Sequence, residues 1–527
     1  VAHSCRDACA AEDVPPQIIV TEQVTADPEP QQPQQPQHEK AIELPVEPDQ
    51  EIRVTQGRDS KTRRSLLLER KLHTDTEIMR GIPLKNTLRN FGRMWRQSPV
   101  DMTENERLHL WDAAFAVKEF DVFLSHTWRT KGIWKFLSLS LQLTWIHILL
   151  WGLGAAIFCE FLFFADVLPP LGDPWEVNFQ GYEGTAPFSL WAVVGECTCV
   201  IPFLLAPWMP LAKQRFAFVD VASIHQVDED MKERGIYGLG GFLKASKELR
   251  ILWSPPYLTR LWCIFELAAY RMANPAGKIE LKPLFVEASV LACWLGMHAA
   301  MILWLVIKAQ LASRNLAFWL AIVPFIAVFH SLRKNFLMKR QLLNDIQNFD
   351  LGAVECRTNF DKEFVHAAIF DWYGGTDAFT EYVRGPLQEE LVSKQRSGVE
   401  ISYCMVLVAP YFSVGISTFV GMLKANVPTY ISASYFLGGL MGFWLCWLAA
   451  LVQLALVLCD RLSRPLMPRL DIFQTIFIFA VMGVTASCGL QIGNRAYRNS
   501  LLTASIWAAV SMLFLWLTNG GFRMCCR

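Results

Sequence analysis

The sequence predicts an α/β parallel-sheet domain, interrupted by and fused to a polytopic α-helical membrane region of about eight spans. Three observations carry that expectation. Short apolar strands alternate with short helices in two separated pieces, 119–140 and 213–287; apolar runs of about 20 residues recur in pairs; and basic residues gather on one side of those runs. Of 527 residues, 52% are hydrophobic and only 19% charged, against roughly a quarter in soluble domains, so the apolar surplus belongs in lipid. Lys+Arg and Asp+Glu both total 49, so net charge gives no footprint for nucleic acid, and none is expected as a partner.

Taken in order, residues 1–57 hold PEPQQPQQPQ and PVEPDQ, a Pro/Gln-rich composition with too few apolar side chains to offset ordering, and disorder is expected there. No apolar signal-peptide core opens the chain, which begins with Val, so an upstream targeting segment stays open. Residues 58–118 read as a basic, helical lead-in, either a solvated face or a contact with an anionic membrane surface. Within it, Thr103 and Glu106 have capping-box spacing ahead of LHLWDAAFAV. FDVFLSH, Phe120–His126, is a buried strand. After the first pair of apolar runs come a strand at Phe216–Val221, a helix at Ile236–Ser246, a strand at Leu249–Trp253, a helix at Arg260–Tyr270 and a strand at Glu280–Val286. FDLGAVECRT is a candidate last strand, residues 333–400 are otherwise a helical segment, and 519–527 is a short tail.

The apolar runs fall at 143–165 and 188–211, 288–308 and 315–332, 402–423 and 431–458, and 472–490 and 500–518. The first pair, 143–211, is a hairpin inserted in the α/β domain; 288–332 is a second hairpin, and 401–518 holds four spans. Connections on the FDVFLSH side carry Lys213, Arg215, Arg333, Lys334, Lys339, Arg340, Arg461, Arg464 and Arg469. The 166–187 connection has no Lys or Arg but holds Asp166, Asp173, Glu176 and Glu183. The positive-inside rule then puts the α/β domain and both termini in the cytosol of a multi-pass membrane protein.

Three stretches in order resemble the Toll/interleukin-1 receptor (TIR) domain family: FDVFLSH, FVDVASIHQ with the charged loop after it, and LRILWSPPYLTRLWCIFELAAY. The resemblance covers about 100 residues in two pieces. It implies a flavodoxin-like sheet, a signalling role through homotypic TIR–TIR contacts and, as in many members, cleavage of NAD⁺ at the nicotinamide–ribose bond. NAD⁺ is then a substrate, and no cofactor is required. The family's glutamate four residues after a tryptophan maps onto Glu266 after Trp262, which share a helix face. Glu266 is thereby the expected catalytic residue, a carboxylate to stabilise the oxocarbenium-like ribose. Trp128 and Arg129, after the first strand, are expected to offer a ring face and a phosphate contact, with Ser254 at the third strand's end. The plainer reading of Trp262 and Glu266 is a helix packed on its sheet. HQVDEDMKERG is an exposed loop or an electrostatic contact between neighbouring domains.

The 14 cysteines form no CxxC pairs or Cys/His zinc spacing, and no metal ligands are assigned. A hydrolase triad of Ser125, His225 and Asp220 lacks a nucleophile-elbow motif. Inside the apolar runs, Glu160 and Glu196 are accompanied by Cys159, Cys197 and Cys199, which read as a soft-metal or proton site or, more plainly, as hydrogen bonding within the hairpin; His147 and His298 are further candidates. Gly438 and Gly442 have the spacing of close helix packing, and Cys525 and Cys526 are candidate palmitate acceptors. Two other readings remain: a channel or transporter regulated by the α/β domain, and a non-catalytic scaffold.

Overall fold

The structure, a computed structural model, describes residues 72–521 apart from 74, 211–213, 311–315, 317–318, 321, 357, 396–399 and 467–470. The Pro/Gln-rich stretch, most of the basic run after it, Lys213, Arg469, Cys525 and Cys526 lie outside the described residues.

Among those residues the strands are β1 (Arg80–Pro83), β2 (Phe115–Ala116), β3 (Val122–Ser125), β4 (Trp175–Phe179), β5 (Tyr182–Ala186), β6 (Phe216–Phe218), β7 (Glu248–Trp253) and β8 (Lys278–Pro283). Six of them form one mixed sheet in the order β2-β1-β6-β3-β7-β8. β6, β3, β7 and β8 run parallel, and β1 joins antiparallel to both β6 and β2. The central strands are apolar runs rather than alternations because both faces are covered: every residue of β3 and β7 is buried.

Val122 pairs with Ala217 and Phe123 with Phe218, so the two pieces of the α/β domain meet in one sheet although an apolar hairpin separates them in sequence. The joint is reinforced at its start, where Phe216 N–H donates to the Asp121 carboxylate and Asp121 N–H donates to the Phe216 carbonyl, each at 2.9 Å. On one face the Phe123 and Phe218 rings stack 4.2 Å apart, with Phe120 edge-on to Phe218 and Phe242 tilted against it. Helices Glu229–Tyr237, Leu239–Lys244, Leu261–Ala273 and Asn359–Tyr373 cover this face. On the other face lie Leu84, Leu88, Trp95 and the first turns of helix Gly132–Phe164. Gly132 is required where Trp95 crosses it, because a Cβ there would meet the Trp95 carbonyl oxygen at 1.9 Å.

Several expectations need correction. The lead-in is not simply helical: it supplies β1 and β2 and a run of 3₁₀ turns, although the Thr103–Glu106 capping box does start helix Glu104–Asp112. The second parallel strand stops at Phe218, and Asp220–Ser223 turns helical. HQVDEDMKERG is not a plain loop; Asp228 caps helix Glu229–Tyr237, and Arg234 pairs with Asp75 and Glu77. Among its described residues FDLGAVECRT adds no strand, only an isolated bridge between Arg260 and Glu355. The helices after it pack into the same core as the sheet.

Among the described residues, six helices are long and apolar enough to cross a membrane, where about eight spans are expected: Gly132–Phe164, Leu284–Trp304, Ile401–Lys424, Thr429–Arg461, Asp471–Asn499 and Leu501–Asn519. The expected span at 188–211 breaks into Trp191–Cys197, Val200–Leu204 and a 3₁₀ turn at Ala206–Trp208, with Pro202 and Pro207 removing backbone donors. Its apolar helical part, Trp191–Leu204, is only about 21 Å long against roughly 30 Å of hydrocarbon. The run at 315–332 overlaps residues outside the description; helix Phe325–Gln347 carries Arg333, Lys334, Lys339 and Arg340 within it. Gly438 and Gly442 do face a neighbour closely, Gly438 against Ala504 and Tyr497 and Gly442 against Trp507.

If the stacked pair at the joint of β3 and β6 holds the two pieces together, Phe123→Ala should destabilise the protein by about 3–5 kcal/mol and Phe123→Leu by distinctly less. Thermal unfolding of the detergent-purified protein measures this; equal midpoints for both variants would contradict the packing described.

Candidate functional site

Parallel sheets collect ligands beyond their carboxyl ends, and a polar cleft of the α/β domain lies there. β3 delivers Ser125 and the turn His126–Arg129, β6 delivers Asp220 after one residue, and helix Leu261–Ala273 supplies Trp262, Cys263 and Glu266. Ser98–Val100 of the lead-in form part of its rim. The empty volume, open solvent included, is about 1200 Å³.

Glu266 is half-buried in the cleft wall and accepts a hydrogen bond from Ser125 Oγ. Ser125 has one proton and gives it to Glu266, so its 2.5 Å contact with Tyr257 is a bond donated by the Tyr257 hydroxyl. Tyr257 is buried, and desolvation holds its phenol protonated, well above the ordinary range. Tyr257, Ser125 and Glu266 thus form a directed chain of donors ending at one carboxyl oxygen. Burial, with the Asp220 charge adding and the Ser125 hydroxyl opposing, pushes the Glu266 carboxyl up to about 8. The free site therefore holds a neutral acid at neutral pH, ready to ionise when a cation enters.

The facing wall is aromatic and basic. Trp128 Nε1 donates to Asp220 Oδ2 at 2.6 Å, and the Lys135 ammonium lies 4.6 Å from the centre of the Trp128 ring. Lys135 Nζ is fully buried and has no hydrogen-bond partner. His126 sits between the Trp95 and Trp128 rings, with Nε2 3.7 Å from Asp220 Oδ1. Burial and the nearby Lys135 charge, opposed by Asp220, push its imidazole down to about 4, so it is neutral at pH 7.

The five residues singled out in the sequence do not all meet. Glu266, Trp262, Trp128 and Arg129 line the cleft. Ser254 does not: it faces the neighbouring depression beside Trp134, Phe285 and Met338, where its hydroxyl bonds to Thr130 Oγ1. Trp128 is not a free ring face, because Lys135 occupies one side and Asp220 fixes its tilt. Arg129 is exposed and paired with Glu355 at 2.6 Å, so a phosphate must displace that carboxylate. Trp262 both borders the cleft and packs against Tyr237, Phe265 and Phe364, so the packing and binding readings coexist in one side chain. The Ser125, His225, Asp220 triad is not assembled; His225 packs on Trp111 and its Nδ1 accepts from Val227 and Asp228 N–H. Sequence reasoning missed Tyr257, Lys135 and Arg260. Lys135 alone left a trace, as a charge at the start of an apolar helix.

The raised Glu266 carboxyl fixes a sign. Its folded value of about 8 exceeds the ordinary carboxylate value, so the folded state holds this proton more tightly and its stabilising contribution is lost as pH rises toward 8. Glu266→Gln should therefore flatten the fall in thermal midpoint between pH 5 and about 8.5, as read in a pH series of melts beside wild type. No family model, no curated protein and no solved structure matches the chain, so its function is argued from this geometry.

Proposed function

We propose that this multi-pass membrane protein presents a flavodoxin-like, TIR-like signalling domain to the cytosol, acting by homotypic TIR–TIR assembly and by cleaving NAD⁺ at the nicotinamide–ribose bond. The observation that carries the reading is Glu266 in the cleft wall, on the same helix face as Trp262 and beyond the carboxyl ends of β3 and β6. In support, the four parallel strands follow the order second, first, third, fourth, which is the start of a flavodoxin-like winding.

In this reading the positive nicotinamide ring enters beside Glu266 and draws its carboxyl into the ionised form. The carboxylate holds a ribose hydroxyl and stabilises positive charge on the ribose as the bond to nicotinamide breaks. Water then adds to the ribose, giving ADP-ribose, nicotinamide and one proton. Ser125, fixed by Tyr257, keeps the carboxylate aimed. Arg129 and Arg260 at the cleft receive the diphosphate, Arg129 by exchanging Glu355 for it. Trp128 serves as a wall positioned by Asp220.

The sidedness rests on charge: the 166–187 connection, folded in part as the β4–β5 hairpin, has no Lys or Arg, whereas Arg215 directly precedes β6 and Arg333, Lys334, Lys339 and Arg340 fall in the connection after the second apolar pair. A second reading, a solute-moving membrane region governed by the same domain, is favoured by one feature, the helix broken at Thr198 beside buried Glu196. Flux in proteoliposomes that follows Glu196 substitution would put that reading first.

In the NAD⁺ reading, the full-length protein in nanodiscs releases nicotinamide, Glu266→Gln slows release by roughly 10²-fold or more, and Ser254→Ala stays within about twofold of wild type. Equal rates for Glu266→Gln and wild type would remove Glu266 from the chemistry. For sidedness, a cysteine placed at Glu183 should react with membrane-impermeant maleimide on intact cells, and one placed at Glu355 only after permeabilisation.

A further inference from the structure

Glu196, Cys199 and His298 converge among the apolar helices, with one ligand atom of each within 4.8 Å of the others. His298 Nε2 lies 3.1 Å from Glu196 Oε2 and 3.5 Å from Cys199 Sγ. An ion held tetrahedrally at ordinary zinc–sulfur, zinc–nitrogen and zinc–oxygen distances sets its nitrogen and oxygen ligands about 3.3 Å apart and its sulfur and nitrogen ligands about 3.6 Å apart. Both observed separations match those edges, so His298 already stands at ligand spacing from each of the other two side chains.

The surroundings support the same conclusion. The other imidazole nitrogen, His298 Nδ1, is 2.9 Å from the Trp294 carbonyl, which only accepts, so Nδ1 carries the proton and in the neutral ring Nε2 turns its lone pair toward Glu196 and Cys199. Glu196 and Cys199 are each 1% exposed, and a buried acid in an apolar region is costly unless it has a task or a partner. The backbone is irregular here: helix Trp191–Cys197 ends at Thr198, so Cys199 lies at a break, where spanning proteins bring ion ligands together. Gly152 of the opposing helix leaves room for the cluster, since a Cβ there would come within 2.9 Å of Cys199 Cβ and 3.6 Å of Glu196 Oε1.

We propose that Glu196, Cys199 and His298 bind a divalent zinc-class cation between the apolar helices, with a fourth position open to water or a further ligand. The ion links the broken helix Trp191–Leu204 to helix Leu284–Gln310, which begins directly after β8, and so ties the two apolar regions that flank the sheet's last strands. On binding, the Cys199 thiol gives up its proton, and a metal–sulfur bond replaces the sulfur–hydrogen bond with no change of oxidation state. An ion pair between His298 and Glu196 alone explains neither the third ligand nor its spacing.

Full-length protein, purified in detergent and stripped with a chelator, is titrated with Co²⁺ as the probe. The expected result is one Co²⁺ per chain, with a near-ultraviolet sulfur-to-cobalt band and strong visible tetrahedral bands that Zn²⁺ displaces. Cys199→Ser should abolish the sulfur band and weaken binding at least about tenfold, whereas Cys197→Ser should keep the band. In the unaltered chain Zn²⁺ should shield Cys199, and not Cys197, from N-ethylmaleimide, as mass spectrometry reads, which decides the matter even if a variant fails to fold. Absence of Co²⁺ uptake, a sulfur band that survives Cys199→Ser, or alkylation of Cys199 indifferent to Zn²⁺ overturns the proposal.

Discussion

The parallel ladder between β3 and β6 is the constraint on which the rest of the structure depends. It joins residues that an apolar excursion divides, and it sets which loops meet at the carboxyl end of the sheet. Asp121 anchors the ladder's start, and the Phe123–Phe218 stack fills the face beneath it. That register brings Trp128 to Asp220, and the neighbouring pairing of β3 with β7 brings Ser125 to Glu266. The site is therefore a product of long-range pairing more than of any contiguous motif.

Much of this was legible beforehand, for a physical reason. Strands buried on both faces are short unbroken apolar runs, and VFLS and ELRILW have that form whatever surrounds them. The boundaries were less legible. After Phe218 the chain turns at once, because Asp220 bonds the Val221 N–H and opens a helical turn, and no apolar pattern announces that. β1 and β2 were hidden in a basic segment, where the charges masked the few buried positions, Ile82 and Leu84 among them. Hydropathy does not mark where the backbone breaks: the 188–211 run is apolar enough, but its helix is interrupted at Thr198 and stops at Leu204, short of Pro207.

At the site, spacing identified Glu266 and Trp262 but could not supply their surroundings. The neutral carboxyl arises from burial and the Asp220 charge, while Ser125 opposes that shift and, with Tyr257, aims the group, both being brought from other elements. Ser254, at an equivalent strand end, faces a different depression because β7 carries it one strand further from β6. The contrast shows how a strand-end position becomes part of a cleft only on the strands that border it. Among the apolar helices the same rule holds: Glu196 and Cys199 were visible as costly residues, while the approach of His298 from another helix was not.

The interrupted sheet also orders events during biosynthesis. A ribosome delivers β3 well before β6, and helix Gly132–Phe164 together with the β4–β5 hairpin emerges between them. The central strand must wait, with its flanks unpaired, until that excursion has been threaded and has returned. Completion of the sheet thus reports that the preceding helices have been handed to the bilayer, and a chain stalled at that stage presents the raw edges of Val122–Ser125 to chaperones.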